Sequence, residues 1–420
     1  MSLDNAAKIF PAAMSRNWSN VFRLSATLSH DVDRDVLQSA LDVTVKRFPS
    51  IAVRIRAGFF WYYIEELPSA PAVMDEKPHP LSRMLFDDIR KCAFRVIVYK
   101  KRIAVEFFHA LTDGNGGLVF LKTLISEYIY QKYGVSVPAC DGILDRNDEP
   151  SDAELEDSFL KNAGPVPSSR KDTDAFRIKG TREIDGFKTN TIFALDADEV
   201  AKRAKEKGIT VTAYLTSAMI MAASAVQKQK IKKRKNYLPI KVLLPVNLRK
   251  LFPSQTLRNF ALYVTPGIDM RLGEYTFDEV CKIVHHQMQL GVTEKNMAAM
   301  IATNVKDEKP LLLRMTPLFI KNIVMKMIFD AVGEKKSCFS FSNLGICRVP
   351  DEFSKYVERI SFVIGVQASA PYNLSAITYK GRLELSVIRN IKEPLLEREL
   401  YRVLRGLGLH AIAESNVRTV

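Results

Sequence analysis

The chain has 420 residues, of which 47% are hydrophobic and 26% are charged, and its formal net charge at pH 7 is +14. This composition is ordinary for a globular protein, and the length allows two or three domains around a large buried core. The sequence also predicts no membrane-spanning helix, because no segment reaches the ~20 apolar residues that a span needs. Residues 1–20 also lack the apolar stretch of a secretory signal peptide, so we expect none.

The cysteines are scattered, odd in number and form no CxxC pair. This usage is typical of the reducing cytosol, so we expect free thiols and a cytoplasmic location. The sequence also has no zinc-ligand spacing, Walker loop, GxGxxG or GxSxG. The missing zinc spacing predicts no bound metal, and the missing GxSxG disfavours a serine-nucleophile hydrolase. The cysteines are Cys92, Cys140, Cys281, Cys338 and Cys347.

The first half of the chain predicts mixed strand and helix. Apolar residues at helical spacing predict a helix over 33–48 that stops before Pro49. Two alternating segments joined by a basic turn predict a β-hairpin over 93–108. Strands are predicted over 20–29, 51–56, 59–66, 93–99 and 103–108.

His109 follows the second hairpin strand directly, and the sequence then continues Ala110-Leu111-Thr112-Asp113-Gly114. Gly116, Gly117 and an apolar, helix-like run come next. A histidine at a strand end, on a glycine-rich turn before a helix, is well placed to project into a cleft. Because its unperturbed pKa is ~6.5, it can accept a proton near neutral pH. His109 is therefore a candidate general base, and a structural histidine at a strand end is the alternative.

The composition shifts over residues 141–179, which are rich in Asp, Glu, Ser, Pro and Lys and are expected to be partly helical around 152–161. We place an N-terminal subdomain at 1–165, a connector at 166–187 and a C-terminal subdomain at 188–420.

The second half also alternates between strand and helix signals. Asp196 is a candidate N-cap for a helix over 197–207, and Thr212 for a helix over 213–227. A basic run at 228–235 is expected to be a solvated loop before the next strand. Strands are predicted over 188–195, 238–246, 260–268, 337–342, 360–366, 374–379 and 383–389, and further helices over 276–290, within 293–305 and over 393–407.

One more helix is predicted, over 317–332, with Thr316 at the cap, Pro317 at the first position and Gly333 past the end. Its polar positions, among them Lys321 and Asn322, form one narrow stripe on an otherwise apolar helix. This pattern favours a buried helix with one solvent-exposed edge. A lid over an acyl tunnel and a patch that touches lipid are the alternatives.

The pattern His109-x-x-x-Asp113-Gly114 resembles the HxxxDG signature of the CoA-dependent acyltransferase superfamily, especially its alcohol acetyltransferase and condensation-domain branches. Many members carry two adjacent histidines, and here Phe108 occupies the first position. The resemblance implies an α/β chain of two chloramphenicol-acetyltransferase-like subdomains with a tunnel between them. It also implies that the retained histidine is the catalytic base, that no acyl-enzyme and no metal take part, and that no cofactor is bound beyond the acyl-CoA co-substrate.

The same resemblance implies that Asp113 is structural and pairs with an arginine. We predict Arg249 as that partner, because the run 245–249 resembles the strand-and-arginine arrangement of BAHD acyltransferases, although Arg258 stands where that family often has glycine. A surface arginine at a strand end is the alternative. Exchanging the two charges, with Asp113→Arg and Arg249→Asp, is expected to restore folding in part. Gly114 is expected to permit a close approach or a positive backbone angle at the turn.

The run Ser340-Phe341-Ser342-Asn343-Leu344-Gly345 resembles the SN-containing element of wax synthases and condensation-like members. There, Ser342 or Asn343 would donate a hydrogen bond to the oxyanion or to the pantetheine arm of the donor. Local turn bonds in an interrupted edge strand are the alternative. The chain has no DFGWG motif, which argues against a typical plant BAHD enzyme.

The resemblance implies transfer of an acyl group from an acyl-CoA thioester to a small-molecule alcohol or amine. A stand-alone condensation-like domain, which takes its acyl group from an acyl carrier protein, is the nearest alternative, and an inactive binding or scaffold homologue is another. The positive charge would speed encounter with anionic CoA or an acidic carrier protein. Nucleic-acid binding through residues 228–235 is the weaker hypothesis, because no nucleic-acid motif accompanies the run.

Overall fold

The computed structural model describes residues 3, 5–12, 14, 20–77, 80–164, 166, 173–306, 315–328, 334–367 and 370–417. Strands and helices alternate along these residues. The strands are β1 (Val21–Leu28), β2 (Val53–Ala57), β3 (Tyr62–Glu66), β4 (Met74–Asp75), β5 (Phe94–Tyr99), β6 (Arg102–Phe108), β7 (Thr189–Asp196), β8 (Ile240–Asn247), β9 (Ala261–Val264), β10 (Gly267–Ile268), β11 (Phe339–Ile346), β12 (Val357–Ile364), β13 (Tyr372–Tyr379), β14 (Arg382–Arg389) and β15 (Ile412–Ser415). The helices are α1 (Ile9–Ala12), α2 (Arg34–Thr44), α3 (Phe86–Ile89), α4 (Gly114–Tyr133), α5 (Asp152–Leu155), α6 (Ser158–Lys161), α7 (Ala197–Glu206), α8 (Val211–Lys230), α9 (Phe277–Gly291), α10 (Glu294–Lys306), α11 (Leu318–Ile328), α12 (Asp351–Ser354) and α13 (Leu395–Gly406).

The first sheet has the strand order β12-β1-β6-β5-β4. The predicted hairpin is present as β5 and β6, and β1 pairs antiparallel with β6. Nearly all of β1 is buried, including Arg23, which lies directly opposite Glu106 in the register, so that its charge is neutralised. Helices α2 and α4 contact each other beside this sheet, and they share its apolar core.

The second sheet has the order β10-β8-β11-β13-β14-β7-β15, with β9 paired to β8. Strand β11 runs parallel to both of its neighbours, whereas the other pairs are antiparallel. Helix α8 packs against α9 and α13 over a second apolar core. A separate two-stranded sheet joins β2 and β3.

The two halves of the chain share strand β12. It lies in the second half of the sequence, yet it pairs antiparallel with β1 in the first sheet, and the chain then returns to the second sheet as β13. Hydrogen bonds join the sheets at this crossing: the Ser375 hydroxyl donates to the Phe362 carbonyl (2.7 Å), and the Ser361 hydroxyl donates to Glu384 (2.6 Å). The halves are therefore interlocked rather than merely adjacent.

Several predicted boundaries differ from the structure, among them three in the second half of the chain. The strand predicted over 260–268 is split into β9 and β10 around Pro266, which has no N–H to donate to a ladder. The N-cap of α8 is Thr210, whose hydroxyl accepts from the Ala213 amide (3.1 Å), rather than Thr212. Helix α8 also continues to Lys230, so the basic run begins in a helix and not in a loop.

Helix α11 lies where a helix was predicted, but the prediction of its buried side is wrong. Lys321 is fully buried and donates to the Phe60 carbonyl (2.9 Å), while Phe319 and Ile323 on the opposite side are exposed. The polar stripe therefore faces the protein because it finds a carbonyl partner there. The predicted positions 329–332 lie outside the described residues.

In the part of the chain that the structure describes, no single helix is long and apolar enough to cross a bilayer. Helices α7 and α8 pass that test only as a pair, and they are bent by 87° at the break between them.

Candidate active site

His109 stands immediately after β6, and the strand pairing fixes its backbone. Its amide donates to the Asn20 carbonyl (2.8 Å), which extends the pairing between β6 and the start of β1. The ring lies 4.9 Å from the Phe10 ring in a stacked arrangement and 5.2 Å from Phe22 in an edge arrangement. Two aromatic neighbours thus hold the orientation of the imidazole.

The two ring nitrogens of His109 have different surroundings. Nδ1 is buried and has no hydrogen-bond partner among the described residues. The residue as a whole is partly exposed, and Nδ1 is not the exposed part. Burial lowers the pKa of His109 below its usual 6.5, although its own backbone carbonyl and the charge of Asp113 oppose this effect. The imidazole is therefore neutral, and able to accept a proton, at neutral pH.

Both carboxylate oxygens of Asp113 are occupied by donors other than the imidazole. Oδ1 accepts from the amides of Asn115 and Gly116 (3.1 Å each), which makes Asp113 the N-cap of α4. Oδ2 accepts from Arg249 Nη1 (2.6 Å) and from the Phe260 amide (2.9 Å). With four donors on one buried carboxylate, Asp113 organises the loop and has no free lone pair suited to abstract a proton.

The structure brings Arg249 to Asp113, as the sequence predicted, and encloses the guanidinium in acceptors. Besides Asp113, it donates to the Thr256 carbonyl (2.8 Å), the Arg258 carbonyl (2.5 Å) and Asn247 Oδ1 (3.2 Å). A planar donor group that satisfies four acceptors fixes the loop from 249 to 260 in one conformation. That loop comes from the second half of the chain and lies against the motif from the first half.

The same loop contacts the histidine segment at two further points. The Thr112 hydroxyl donates to the Leu257 carbonyl (2.6 Å), and Asn259 Nδ2 donates to the His109 carbonyl (3.3 Å). Asn259 is buried, so both halves of the chain hold the His109 backbone. Asn259 was not among the predicted site residues. Its position beside Arg258 at the start of a strand was the available signal.

Gly116 explains why the loops approach so closely. A Cβ at this position would lie 2.2 Å from Thr112 Oγ1 and 2.3 Å from the Leu257 carbonyl oxygen. Gly114 begins α4, and a Cβ there would lie 2.8 Å from Leu344 Cδ2. Glycine at both positions lets α4 start directly beneath strand β11 and the 249–260 loop.

Strand β11 carries Ser342 and Asn343 to the same region, since Leu344 lies against Gly114. The amide of Asn343 is engaged inside the protein, because Nδ2 donates to Thr212 Oγ1 (3.1 Å) and Oδ1 accepts from the Gly345 amide (2.9 Å). Ser342 makes no side-chain hydrogen bond to the described residues and is partly exposed. Of the two predicted donors, Ser342 is the one with an uncommitted hydroxyl.

Phe108, which occupies the position of the first family histidine, is fully buried in the first core. The described residues contain no group of three or more His, Cys, Asp or Glu side chains arranged to hold a metal ion.

Known structures with this architecture were found, although no family model and no curated protein sequence matches the chain. TRI101 from Fusarium sporotrichioides, solved with coenzyme A and T-2, has a TM-score of 0.62 at 9% identity and covers 99% of this chain and 100% of its own. The trichothecene 15-O-acetyltransferase TRI3 from the same organism has a TM-score of 0.62 at 13% identity, with 96% of this chain and 93% of its own covered. The first condensation domain of the calcium-dependent antibiotic synthetase has a TM-score of 0.58 at 12% identity, with 97% and 95% covered.

These similarities extend over nearly the whole chain. The protein therefore has the two-subdomain, chloramphenicol-acetyltransferase-like fold that CoA-dependent acyltransferases share with condensation domains.

Proposed function

We propose that this protein is an acyltransferase that moves an acyl group from an acyl-CoA thioester to an alcohol or amine, with His109 as the general base. The observation that carries the proposal is the setting of His109, whose backbone is held by both halves of the chain through Asn20 and Asn259 while the residue stays partly exposed. Since the lowered pKa keeps the imidazole neutral, Nε2 is ready to accept a proton.

The reaction that suits this site is direct transfer. Nε2 of His109 takes the proton from the acceptor hydroxyl or amine as its oxygen or nitrogen attacks the thioester carbonyl carbon. The carbon–sulfur bond of the resulting tetrahedral intermediate then breaks, and the imidazolium returns the proton to the leaving CoA thiolate. No covalent acyl-enzyme is formed. The uncommitted hydroxyl of Ser342 is the proposed donor to the oxyanion, and Asp113 and Arg249 hold the loop without touching substrate.

The structural neighbours support acyl-CoA as the donor and a small molecule as the acceptor, because TRI101 was solved with coenzyme A and T-2. A net charge of +14 favours encounter with the phosphates of CoA. The same charge suits an acidic carrier protein, and a condensation domain is among the neighbours, so a carrier-bound acyl thioester is the alternative donor.

The proposal is tested by following thiol release from acetyl-CoA, longer acyl-CoAs and an acyl carrier protein, each with a panel of alcohols and amines. We expect thiol release that depends on the acceptor, with a free acyl-CoA sufficient as donor and an acylated acceptor detected by mass. Turnover with the carrier alone would replace CoA by the carrier-bound thioester. Absence of turnover with every donor would overturn the proposal in favour of a binding role.

A further inference from the structure

Helix α11 has its amphipathic character reversed relative to a surface helix of a soluble domain. Its inward side carries Leu318, Lys321 and Asn322, and Lys321 is completely buried. Its outward side is apolar, and the apolar residues recur at the spacing that places them on one face of a helix. The outward residues and their exposed fractions are Phe319 (67%), Ile320 (41%), Ile323 (59%), Val324 (38%) and Met327 (58%).

Contacts with the turn between β2 and β3 hold this orientation. Lys321 Nζ donates to the Phe60 carbonyl (2.9 Å) and lies 3.5 Å from the centre of the Trp61 ring. Asn322 donates to the Tyr62 hydroxyl (2.8 Å), and the Leu318 amide donates to the Phe59 carbonyl (2.9 Å). The reversal is therefore built by specific polar contacts rather than by a loosely attached helix.

The turn adds its own apolar side chains to the exposed face. Phe59 at its tip is 73% exposed, and Phe60 is 41% exposed. Together with the five outward residues of α11 they form one surface, which we call the apolar ridge (Phe59, Phe60, Phe319, Ile320, Ile323, Val324 and Met327). A contiguous group of large exposed apolar side chains marks an interaction surface.

The apolar ridge is connected to the active site through one short helix. Helix α11 packs against α1, and Phe10 of α1 stacks on the ring of His109 at 4.9 Å. Helix α1 therefore links the helix that carries the ridge to the histidine.

The shape and charge of the molecule favour a lipid surface over a second protein copy. The ridge projects from a turn and a helix, which suits insertion into the fluid interface of a bilayer, where no matching cavity is needed. Two copies of this chain would each bring a charge of +14, which opposes self-association, whereas an anionic leaflet attracts it. Lys8, whose Nζ lies 4.8 Å from the centre of the Trp61 ring, places positive charge beside the ridge.

We propose that the apolar ridge docks on an anionic lipid bilayer, with Phe59 and the outward face of α11 inserted among the headgroups. Docking is independent of the acyltransferase assignment, since it is measured without turnover. If both hold, the site would work at a lipid surface.

The test is sedimentation of the full-length protein with vesicles of phosphatidylcholine, with and without phosphatidylglycerol. We expect binding to the mixed vesicles that weakens as salt rises. Phe319→Glu combined with Ile323→Glu is expected to lower the vesicle affinity by about tenfold or more, because two inserted side chains become charged. Leu272→Glu combined with Leu290→Glu changes the net charge equally at positions that are 80% and 73% exposed and lie outside the ridge, and it should bind like wild type.

Circular dichroism of both double variants checks that they remain folded. Wild type that fails to bind anionic vesicles, or a ridge variant that binds as tightly as the control variant, would overturn the proposal. A concentration-dependent dimer in light scattering that the ridge substitutions abolish would also overturn it, and would assign the ridge to a second copy of the chain.

Discussion

The environment of His109 determines when it can act as a base. Its ring is packed between Phe10 and Phe22, and its Nδ1 is buried without a partner among the described residues. Such surroundings penalise the imidazolium more than the neutral ring. The aromatic side chains that orient the histidine thus contribute to the burial that lowers its pKa.

We expect the acid limb of the kcat/KM profile to have its midpoint below pH 6.5. The neutral imidazole is the active form. Because the pKa of His109 is lowered, the pH must fall further before the ring is protonated and activity is lost. The measurement is kcat/KM from pH 4.5 to 8 with the best acceptor. A midpoint at or above the ordinary histidine value would contradict this account of the site.

Asp113 and Arg249 form a nearly buried pair, and breaking it should be costly. Asp113→Ala leaves the Arg249 guanidinium without its carboxylate and α4 without its N-cap. We expect the free energy of unfolding, measured by urea denaturation, to fall by roughly 3–5 kcal/mol.

The matched control is Asp75→Ala, which breaks an ion pair with Arg34 of similar length (2.9 Å) whose side chains are well exposed. That change should cost no more than about 1 kcal/mol. If the two substitutions had equal effects on stability, Asp113 would not organise the motif loop.

The contacts also change one expectation drawn from the sequence. Exchanging the charges, with Asp113→Arg and Arg249→Asp, was expected to restore folding in part. In the structure Asp113 accepts from three backbone amides as well as from Arg249, so an arginine there would face N–H donors. Rescue by exchange is therefore no longer expected, and a double-mutant cycle with alanine is the suitable test of coupling.

At the scale of elements, the close approach of α4 to the 249–260 loop depends on Gly116. Gly116→Ala would force its Cβ against Thr112 Oγ1 and the Leu257 carbonyl. We expect a loss of roughly 1–3 kcal/mol in unfolding free energy, together with a lower kcat, because the 249–260 loop would shift and this loop holds the His109 backbone through Asn259.

The control for this change is Gly406→Ala at the end of α13, where an added Cβ meets no atom within 4 Å. Alanine is the better helix former, so stability should stay level or rise by up to about 1 kcal/mol. A Gly116→Ala protein with wild-type stability and kcat would show that the loops can separate without consequence.

Local sequence patterns predicted the secondary-structure elements better than they predicted which elements contact each other. The hairpin of β5 and β6 and the position of His109 at its end follow from alternation and turn residues, which are properties of neighbouring positions. The predicted orientation of α11 was wrong because the hydrogen-bond partners of Lys321 and Asn322 are 261 and 260 residues away in the chain. Periodicity identifies a polar stripe, but it does not indicate whether solvent or another element provides the hydrogen-bond partners of the polar side chains.

At the scale of the molecule, the exchange of β12 between sheets was not predictable from its pattern. A buried strand shows similar alternation whichever sheet it joins, and pairing with β1 at a separation of more than 300 residues leaves no local signal. The pairing of Asp113 with Arg249 was anticipated through a family resemblance, and not through spacing. The hydrogen bond from Asn259 to the His109 carbonyl depends on the same long-range docking and was missed.

A comparison of three proteins tests whether His109 is the general base. Acceptor-dependent thiol release is measured for wild type, His109→Ala and His286→Ala, the last a control on the exposed face of α9. We predict that kcat falls by about 10²–10⁴ in His109→Ala, with the fold retained by circular dichroism, and that His286→Ala behaves as wild type. A folded His109→Ala protein with the wild-type rate would contradict the assignment of His109 as the base.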